Sequence, residues 1–402
     1  MDRPKVRFKG FTDDWEKRKL GEVAEIYDGV HQTPEYQDKG IMFLSVENIA
    51  TLKSQKYISE EAFEHDYKVY PQKGDILMTR IGDVGTTNVV ETSEKLAFYV
   101  SLALLKPQTI DSYFLHNIMG AFEFQKGLRE RTLLTAIPQK INKDEIGKIP
   151  FSITLNIDEQ KKIGDYFKKL DHLITFHQRK CEQTKKLKKY MLQKMFPKDG
   201  QSVPEIRMAG FTDAWEQRKF SDLVQIERGG SPRPIDDFIT DSPDGLNWVK
   251  IGDAPAQGNY ITKTAEKIKP EGLSKTREVH PGDLILSNSM SFGKPYIMGI
   301  DGCIHDGWLL IRNTYKVFDL TFLCHLLSTP QMIIQYKSLA AGSTVNNLNK
   351  ELVGNTVVTI PTIKEQRVLG QYLETLDNLI TLHQRKCDEL KLKQLISESI
   401  IV

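Results

Sequence analysis

Short apolar runs, each bounded by Gly, Pro, Asp or Asn, recur through most of the chain. They lie at 41–46 (IMFLSV), 74–80 (GDILMTR), 97–106 (AFYVSLALLK), 246–251 (LNWVKI), 282–288 (GDLILSN) and 307–313 (GWLLIRN). Runs of this length that end at turn-forming residues are typical of β-strands. The Gly-rich stretch GDVGTT at 82–87 fits a turn between two such strands.

Helical periodicity follows each strand-rich region. A helix is expected at about 111–130, with Asp111 or Ser112 as its N-cap and one apolar face made by Phe114, Leu115, Ile118, Met119 and Phe122. A corresponding helix is expected at about 319–340. A strand marked by proline then follows at Ile149-Pro150 and at Ile360-Pro361. Each region therefore predicts an α+β globule built on a curled sheet.

Two longer helices carry a seven-residue apolar repeat. Each covers some 35 residues, or roughly 50 Å at about 1.5 Å per residue. One apolar stripe on a helix this long needs a partner, and the simplest partner for each helix is the other, packed antiparallel with one globule at each end. The predicted seam consists of Ile163, Phe167, Leu170, Ile174, His177 and Cys181 in the first helix and Leu369, Leu373, Leu376, Ile380, His383 and Cys387 in the second.

Two of these seam positions are histidines, and the cysteines are interpreted as small core residues. A polar pair in an apolar seam fixes the register of two helices, as a buried Asn does in a zipper. We interpret His177 and His383 in this way, with a metal or proton site as the alternative.

The chain is a tandem duplication. GFTDDWEKRKLGEVAEI at 10–26 returns as GFTDAWEQRKFSDLVQI at 210–226, and LDHLITFHQRKC at 170–181 returns as LDNLITLHQRKC at 376–387. The unit of about 200 residues is a whole domain plus a connector. Its edges match closely, whereas the interiors diverge almost completely. This pattern favours two modules of one architecture that recognise different targets, and drift without a selected difference is the alternative.

The predicted fold class is therefore α+β, with two α/β domains separated by a long antiparallel two-helix coiled coil in a pseudo-two-fold arrangement. The predicted division is 1–155 for the first recognition domain, 156–200 for the first long helix and linker, 201–361 for the second recognition domain and 362–402 for the second long helix.

Composition narrows the class of protein. The 402 residues carry a net charge of +2, so basic surface must be local. Residues 158–198 hold twelve Lys and Arg against five Asp and Glu, which is either a solvated helix face or a contact with nucleic acid or an acidic partner. Four cysteines without metal-ligand spacing, and no signal peptide or apolar span, lead us to expect a cytoplasmic protein with no membrane contact.

No phosphate loop, nucleophile elbow, zinc-protease or dinucleotide motif occurs, and no methyltransferase [ND]PP[YF] tetrapeptide. This favours a recognition protein. A strut of roughly 50 Å spans about one and a half turns of duplex DNA. Arg, Asn, Ser, Thr and Lys in loops suit base edges and phosphates. The candidate DNA contacts are Arg80, Thr86, Thr87, Asn88, Arg228, Ser231, Arg233, Asn288, Ser289, Ser291, Lys294, Thr344, Asn346 and Asn347.

Two other classes stay open at this point. Near-neutral charge also fits a protein–protein adaptor that presents two domains on a coiled coil. An enzyme whose motifs are unrecognised is the third option.

The repeated GFTDxWExRK segment, GDILMTR, the Asn-Lys pair before an Ile-Pro strand and the helix DEQKKIGDYFKKLDHLITFHQRKCEQTKKLKKYMLQKMF together resemble the specificity subunit of type I restriction–modification enzymes. The resemblance covers nearly the full length. It implies two target-recognition domains that each read half of a bipartite site in double-stranded DNA, and a coiled coil that sets the gap. It also implies that this chain is not catalytic and holds no cofactor.

By the same resemblance, two methyltransferase (M) subunits would bind the chain and restriction (R) subunits would join through them, using S-adenosylmethionine, ATP and magnesium. Docking on the GFTDxWExRK segments and the coiled-coil flanks is expected, because both halves share them. The second helix departs from the pattern, since it lacks the YMLQKMFPK tail of the first.

Overall fold

The computed structural model describes residues 4–288, 293–341 and 348–401, and the chain divides into two compact units. The first unit comprises 1–176 and 386–402, and the second comprises 177–385. Each unit therefore contains part of both long helices, whereas the predicted domains end where their long helices begin.

The strands of the first unit are β1 (Glu16–Lys19), β2 (Ala24–Asp28), β3 (Ile41–Leu44), β4 (Tyr57–Ile58), β5 (Ile76–Thr79), β6 (Thr87–Val89), β7 (Leu96–Phe98), β8 (Leu102–Pro107) and β9 (Pro150–Ile153). Its helices are α1 (Glu60–Asp66), α2 (Ser112–Gly120), α3 (Phe122–Arg131), α4 (Lys143–Gly147) and the first part of α5 (Ile157–Lys194). An antiparallel sheet has the order β2–β8–β5–β6, and a mixed sheet has the order β4–β3–β7. Strand β1 pairs with β9, which joins the two ends of the unit.

In the second unit the strands are β10 (Glu216–Lys219), β11 (Gln225–Arg228), β12 (Leu246–Val249), β13 (Tyr260–Ile261), β14 (Glu266–Ile268), β15 (Arg277–Val279), β16 (Leu284–Ser287), β17 (Pro295–Met298), β18 (Gly302–Ile304), β19 (Trp308–Arg312) and β20 (Val357–Ile360). Its helices are α6 (Leu320–Leu327), α7 (Pro330–Ala341), α8 (Lys350–Gly354) and most of α9 (Ile363–Ile401). The sheets have the orders β11–β19–β16–β17–β13 and β14–β12–β18–β15, and β10 pairs with β20. The predicted α+β class with two repeated units is confirmed.

The single helix predicted at 111–130 is two helices. Asp111 is the N-cap as predicted, since its side chain accepts a hydrogen bond from the main-chain nitrogen of Phe114 at 2.9 Å. Ala121 has an extended conformation and ends α2, so Phe122 starts a new helix with 80% of its surface exposed. Its assignment to the buried face was wrong, because the break rotates it away from the face that the first helix buries. The helix predicted at 319–340 is likewise divided into α6 and α7.

The segment that leads into the repeated GFTDxWExRK motif, here called the entry segment, is held to the first turn of the long helix in each unit. In the first unit Arg7 donates from Nε and Nη2 to the two carboxylate oxygens of Glu159, at 2.5 and 2.7 Å. Glu159 is fully buried. A bidentate guanidinium compensates a buried carboxylate both in charge and in geometry, which explains why this segment and this helix recur together. The hydrogen bond with Glu159 raises the pKa of Arg7.

The second unit repeats this anchor with one addition. Arg207 donates to the two carboxylate oxygens of Glu365 at 2.7 and 2.8 Å, and the indole Nε1 of Trp215 donates to the same carboxylate at 3.2 Å. The corresponding indole nitrogen of Trp15 is buried, and no acceptor in the described part of the chain lies within hydrogen-bond distance of it.

A glutamine beside each glutamate joins the long helix to the helix of its globule. The side-chain oxygen of Gln160 accepts from the main-chain nitrogen of Asp111 at 2.8 Å, and Gln366 accepts from Asp319 at 2.9 Å. Gly370 lies so close to α6 that an added Cβ would be 2.8 Å from a main-chain nitrogen. The two helices can approach this closely only where one of them has no side chain.

The two long helices run antiparallel within each unit. In the first unit the hydroxyls of Tyr166 and Ser397 are 3.0 Å apart, and Gln394 donates to Asp171 at 2.9 Å. As the residue number rises in one helix, that of the contacted residue falls in the other. The pairing predicted from the heptad repeat is therefore antiparallel in fact.

The second unit shows the same direction of pairing. The Nδ1 atoms of His177 and His383 are 2.9 Å apart, the thiol of Cys181 donates to the carbonyl of Ile380 at 3.8 Å, and Lys188 Nζ lies 2.5 Å from Asp377 Oδ1. These contacts place polar side chains across from one another at the centre of the helix pair.

The predicted seam residues fall into two groups. The residues nearer the start of each helix pack into the globular core of their unit, together with Trp15 and α2 in the first unit and Trp215 and α6 in the second. They are Ile163, Phe167 and Leu170 in α5 and Leu369, Leu373 and Leu376 in α9. Of the later ones, Ile174, Cys181, Ile380 and Cys387 are buried, and the two histidines are half-buried. Along each long helix, the N-terminal part of the apolar stripe therefore packs against a globular core, and the following part packs against the other long helix.

All four cysteines are buried and unpaired. Among the described residues, no helix has an apolar stretch long enough to cross a membrane.

Candidate nucleic-acid interface

Four candidate DNA contacts of the second unit, namely Arg228, Ser231, Arg233 and Asn288, converge on one aspartate. Asp306 lies in the turn between β18 and β19, where two sheets of the unit are joined by the chain. The candidates come from the ends of β11 and β16 and from the loop after β11. The topology therefore gathers residues separated by up to 78 positions where the ends of β11 and β16 meet the start of β19.

Two of the four contact the main chain of the turn. Asn288, at the end of β16, donates from Nδ2 to the carbonyl of Asp306 at 2.8 Å and from its own main-chain nitrogen to the carbonyl of Gly307 at 3.0 Å. Arg228, at the end of β11, donates from Nε to the same Asp306 carbonyl at 3.5 Å. Asn288 is only 3% exposed, so it fixes the turn from within, whereas Arg228 is exposed.

The other two surround the Asp306 carboxylate. Ser231 donates to Oδ1 at 3.1 Å, and His305 Nε2 lies 3.0 Å from the same oxygen. Arg233 Nη2 lies 4.0 Å from Oδ2, which is an ion-pair distance and too long for a hydrogen bond. The Arg233 side chain is 83% exposed.

The tautomer of His305 follows from its neighbours. The main-chain nitrogen of Gly307 donates to His305 Nδ1 at 2.9 Å, so Nδ1 is the acceptor. The ring proton is then on Nε2, which lies 3.0 Å from Asp306 Oδ1. Because Ser231 donates to Oδ1, the other carboxylate oxygen is the one that faces the Arg233 guanidinium.

A cleft of about 1150 Å³ opens beside this cluster. Its floor includes the buried ring of Trp248, and its rim carries Arg233, His305 and the ion pair between Lys250 and Glu266, whose Nζ and Oε1 are 2.5 Å apart. The walls include Pro232, Pro234, Ile235 and Ile239. The cleft therefore combines apolar walls with polar and charged side chains, a lining that suits ligand recognition.

The first unit has different chemistry at the equivalent strand ends. Arg80 follows β5 as Asn288 follows β16, and Asp28 ends β2 as Arg228 ends β11. Arg80 and Asp28 form an ion pair through Nη1 and Oδ1, and Arg80 is 7% exposed. Burial lowers the pKa of Arg80. The sequence predicts Arg80 as a loop residue facing DNA, whereas the structure places it inside the unit.

The other candidates of the first unit bind neighbouring groups. Thr86 donates to Asp83 at 2.6 Å, Thr87 Oγ1 lies 2.8 Å from His116 Nδ1, and Asn88 donates to the Ile49 carbonyl at 2.8 Å. Thr86 is the most exposed of the three, in the turn between β5 and β6. Burial lowers the pKa of His116, so the ring beside Thr87 is neutral at pH 7.

Lys294 is exposed and lies over the ring of Tyr296, with Nζ 4.8 Å from the ring centre. It also lines a smaller cleft of about 370 Å³ together with Lys185, Lys188 and Lys189 from α5. The basic stretch noted in the sequence thus contributes a positive surface to the second unit. The candidates Ser289, Ser291, Thr344, Asn346 and Asn347 lie outside the described residues.

Within the part of the chain that the structure describes, no group of three or more His, Cys, Asp or Glu could hold a metal ion. The Nδ1 atoms of His177 and His383 are 2.9 Å apart, and burial, then His177, lowers the pKa of His383.

Comparison with known proteins decides the family. The family model described as the type I restriction modification DNA specificity domain matches residues 12–186 and again residues 212–392. The chain belongs to this family. The two matches reproduce the tandem duplication read from the sequence. Members of the family are the non-catalytic specificity subunits of type I systems.

Relatives of this specificity-subunit family match over most of their length. A Methanocaldococcus jannaschii protein assigned as the specificity subunit of the type I restriction enzyme MjaX is 22% identical over 408 residues, which cover 96% of this chain and 92% of that protein. The MjaVIII specificity subunit of the same organism is 22% identical over 293 residues, covering 70% and 67%. The S subunit of a type I restriction–modification system from M. genitalium has the same fold, with a TM-score of 0.69 at 14% identity over 100% of this chain and 99% of that one.

Sequence reasoning missed Asp306, His305 and Trp248, which lie at this candidate site of the specificity subunit. The available signal was the Asp-Gly pair that separates two buried runs, CI and WLLI. Such a pair marks a turn. It does not show which distant loop will fold back onto the turn.

Proposed function

We propose that this chain recognises DNA for a type I restriction–modification complex, with each unit reading one half of a bipartite, asymmetric site. The observation that carries the proposal is that the two units share the contacts of their repeated segments but differ in the side chains at their strand ends. The anchors Arg7–Glu159 and Arg207–Glu365 are the same in both units, whereas the strand ends hold Arg80–Asp28 in one and an Asp306 cluster in the other. One scaffold with two different polar surfaces suits the reading of two different half-sites.

The long helices then set the number of unread base pairs between the half-sites. Two continuous helices of 38 and 39 residues that pack antiparallel support this proposal. Packing at fixed positions, such as His177 against His383, gives the pair one register. A fixed register gives a constant spacing.

Catalysis is assigned to partners. Two methyltransferase subunits would dock on the repeated GFTDxWExRK segments and the helix flanks, and restriction subunits would join through them, with S-adenosylmethionine, ATP and magnesium bound in those partners. Support comes from the exposed apolar side chains that recur at equivalent positions of the long helices, Leu173 and Phe176 in one and Leu379 and Leu382 in the other. Equivalent surfaces imply two copies of one partner. The complex would act in the cytoplasm, where unpaired thiols such as these four persist.

Exchange of one interior tests the half-site assignment. Residues 24–149 lie between β1 and β9, so their replacement by the corresponding part of another family member keeps the β1–β9 pair and the Arg7 anchor. The chimera is expressed with its methyltransferase partner in a host without the system, and methylated adenines are mapped across the genome. One half of the motif should change. The reciprocal exchange of residues 225–356 is the matched control and should change the other half.

A change of both halves by one exchange would contradict the modular assignment. Absence of any salt-dependent DNA binding, with the methyltransferase partner present, would favour the adaptor class instead.

Lengthening both helices tests the spacing assignment. Insertion of one heptad after Gln178 in α5 and one after Gln384 in α9 keeps the apolar repeat in phase. Seven residues add about 10 Å, which corresponds to about three base pairs at ~3.4 Å each. The unread gap should grow by that amount. An insertion in one helix alone is the control and should abolish modification, and an unchanged gap in the double insertion would refute the assignment.

A further inference from the structure

We propose that Arg233, positioned by Asp306 at the mouth of the second unit's cleft, reads the major-groove edge of a guanine in the half-site recognised by that unit. This inference rests on the proposed function and adds the residue pair, the base and the groove. Asp306 acts as a positioning residue, since it touches the reading side chain and not the base.

The first support is the distribution of hydrogen bonds on the carboxylate. Oδ1 of Asp306 accepts from Ser231 at 3.1 Å and lies 3.0 Å from His305 Nε2, while Oδ2 lies 4.0 Å from Arg233. The turn itself is fixed by Asn288 through the carbonyl of the same residue. The carboxylate therefore has one orientation, and its unoccupied oxygen points to the guanidinium.

The second support is exposure. The Arg233 side chain is 83% exposed, although its charge partner is only one-third exposed. The remaining N–H groups of the guanidinium are free to face a ligand. Two parallel N–H donors from arginine match the O6 and N7 acceptors that guanine presents in the major groove.

The charges around Arg233 favour a base edge over a phosphate. Asp306 lies at 4.0 Å, and Asp236 also lines the cleft, whereas Glu266 there is paired with Lys250. Carboxylates this close repel a phosphate, which carries a full negative charge, but not the neutral edge of a base. Nearby carboxylates would weaken the binding of an arginine to a DNA phosphate.

The third support is the comparison of the two units. The residue equivalent to Asp306 is Val100, which lies four positions after the start of β7 as Asp306 lies four positions after the start of β18, and it is not acidic. Arg80 of the first unit is buried against Asp28. Arg80 corresponds to Asn288 and not to Arg233, so the pairing of an exposed arginine with an acid in this turn is specific to the second unit. A position that changes chemistry while the frame stays constant is suited to specificity.

The test uses the full chain in complex with its methyltransferase partner. Methylation rates are measured on duplexes in which each position of the mapped wild-type motif is varied in turn. Arg233→Lys keeps the charge but removes the planar fork, so discrimination at one G·C position should fall roughly tenfold to a hundredfold, with the other half-site unchanged. Asp306→Asn should lower discrimination at the same position by a smaller factor.

Arg277→Lys is the matched control. Arg277 is also an exposed, ion-paired arginine of this unit, with Nε 3.2 Å from Glu227, and it lies outside the cleft. It should leave the motif unchanged. Thermal unfolding of all three variants confirms that folding is retained, and a misfolded Arg233→Lys protein is replaced by Arg233→Gln.

If the Arg233→Lys complex methylates the same motif as the wild type, the inference is overturned. The proposed function is unaffected by that result as long as the wild-type motif is bipartite. Equal losses on every sequence overturn the inference as well, because they identify a phosphate contact. A wild-type motif without two halves removes the proposed function itself.

Discussion

Trp15 and Trp215, the equivalent tryptophans of the repeated GFTDxWExRK motif, allow a matched test of how much one hydrogen bond stabilises each unit. Trp215 is 3% exposed and donates to Glu365 at 3.2 Å, whereas Trp15 is 6% exposed and its indole nitrogen reaches no acceptor among the described residues. Replacement of either by phenylalanine removes a similar amount of buried apolar surface. Only Trp215→Phe also removes a hydrogen bond to a buried carboxylate.

The expected difference follows from that one bond. A hydrogen bond to a charged group contributes about 1.5–3 kcal/mol. Trp15→Phe removes a buried donor that reaches no acceptor in the described part of the chain, so this substitution should destabilise its unit less. The free energy of local opening should therefore fall more in Trp215→Phe by at least about 1.5 kcal/mol, or roughly tenfold in the opening equilibrium.

Hydrogen exchange read by mass spectrometry measures this locally, so neither global two-state unfolding nor separation of the units is needed. Amides at the start of α9 report on Trp215→Phe, and amides at the start of α5 report on Trp15→Phe. Glu365→Gln serves as a positive control, because it leaves Arg207 without its counter-charge and should accelerate exchange in α9 further. Equal acceleration in the two tryptophan variants, or a larger effect for Trp15→Phe, would refute the assignment of stability to the indole hydrogen bond.

Three more predictions concern the second unit. Gly370→Ala should destabilise it by about 1–3 kcal/mol and lower the melting temperature, because the new Cβ would lie 2.5 Å from Thr321 Oγ1 and 2.8 Å from the Phe322 nitrogen; a raised melting temperature would contradict this. Asp319→Ala should cost about 1 kcal/mol in urea unfolding through loss of the α6 cap, with Asp319→Asn nearly neutral. Burial lowers the pKa of His325 to about 4, so its neutral form is favoured by folding. The stability it contributes is complete above about pH 6.5 and should fall by about 3 kcal/mol towards pH 4 in urea titrations, a slope that His325→Gln should reduce.

Much of the fold could be predicted because it depends on local sequence patterns. The duplication, the long helices, the strands around GDIL and GDLIL and the Asp111 cap each depend on a few adjacent residues. The helix break at Ala121 could not be predicted, since FLHNIMGAFEFQKGL has continuous apolar spacing and contains no proline. A periodic stripe also does not reveal its partner. Phe167 and Leu373 fit the heptad, yet they are buried in globular cores.

The candidate site was only partly predictable for a related reason. Arg80 looked like a loop residue because its acid partner, Asp28, is 52 positions away. Conversely, Arg233, Ser231 and Asn288 were chosen on side-chain chemistry alone, and the acid that gathers them lies in a turn between two other strands. Pairings of this kind depend on sheet order, which neither periodicity nor composition contains.

The uneven similarity of the two halves has a physical basis in these contacts. Loss of Glu159 or Glu365 would leave an arginine unpaired against a buried helix end, at about 3–5 kcal/mol. Such a pair can change only if both members change together, so it persists through duplication. Arg233 has no comparable restraint, because it is exposed and its loss leaves the Asp306 carboxylate with the hydrogen bond from Ser231 and with His305 3.0 Å away. Substitutions at the strand ends can therefore alter what a unit recognises without altering how it folds, which is the property that a protein with two independent recognition domains requires.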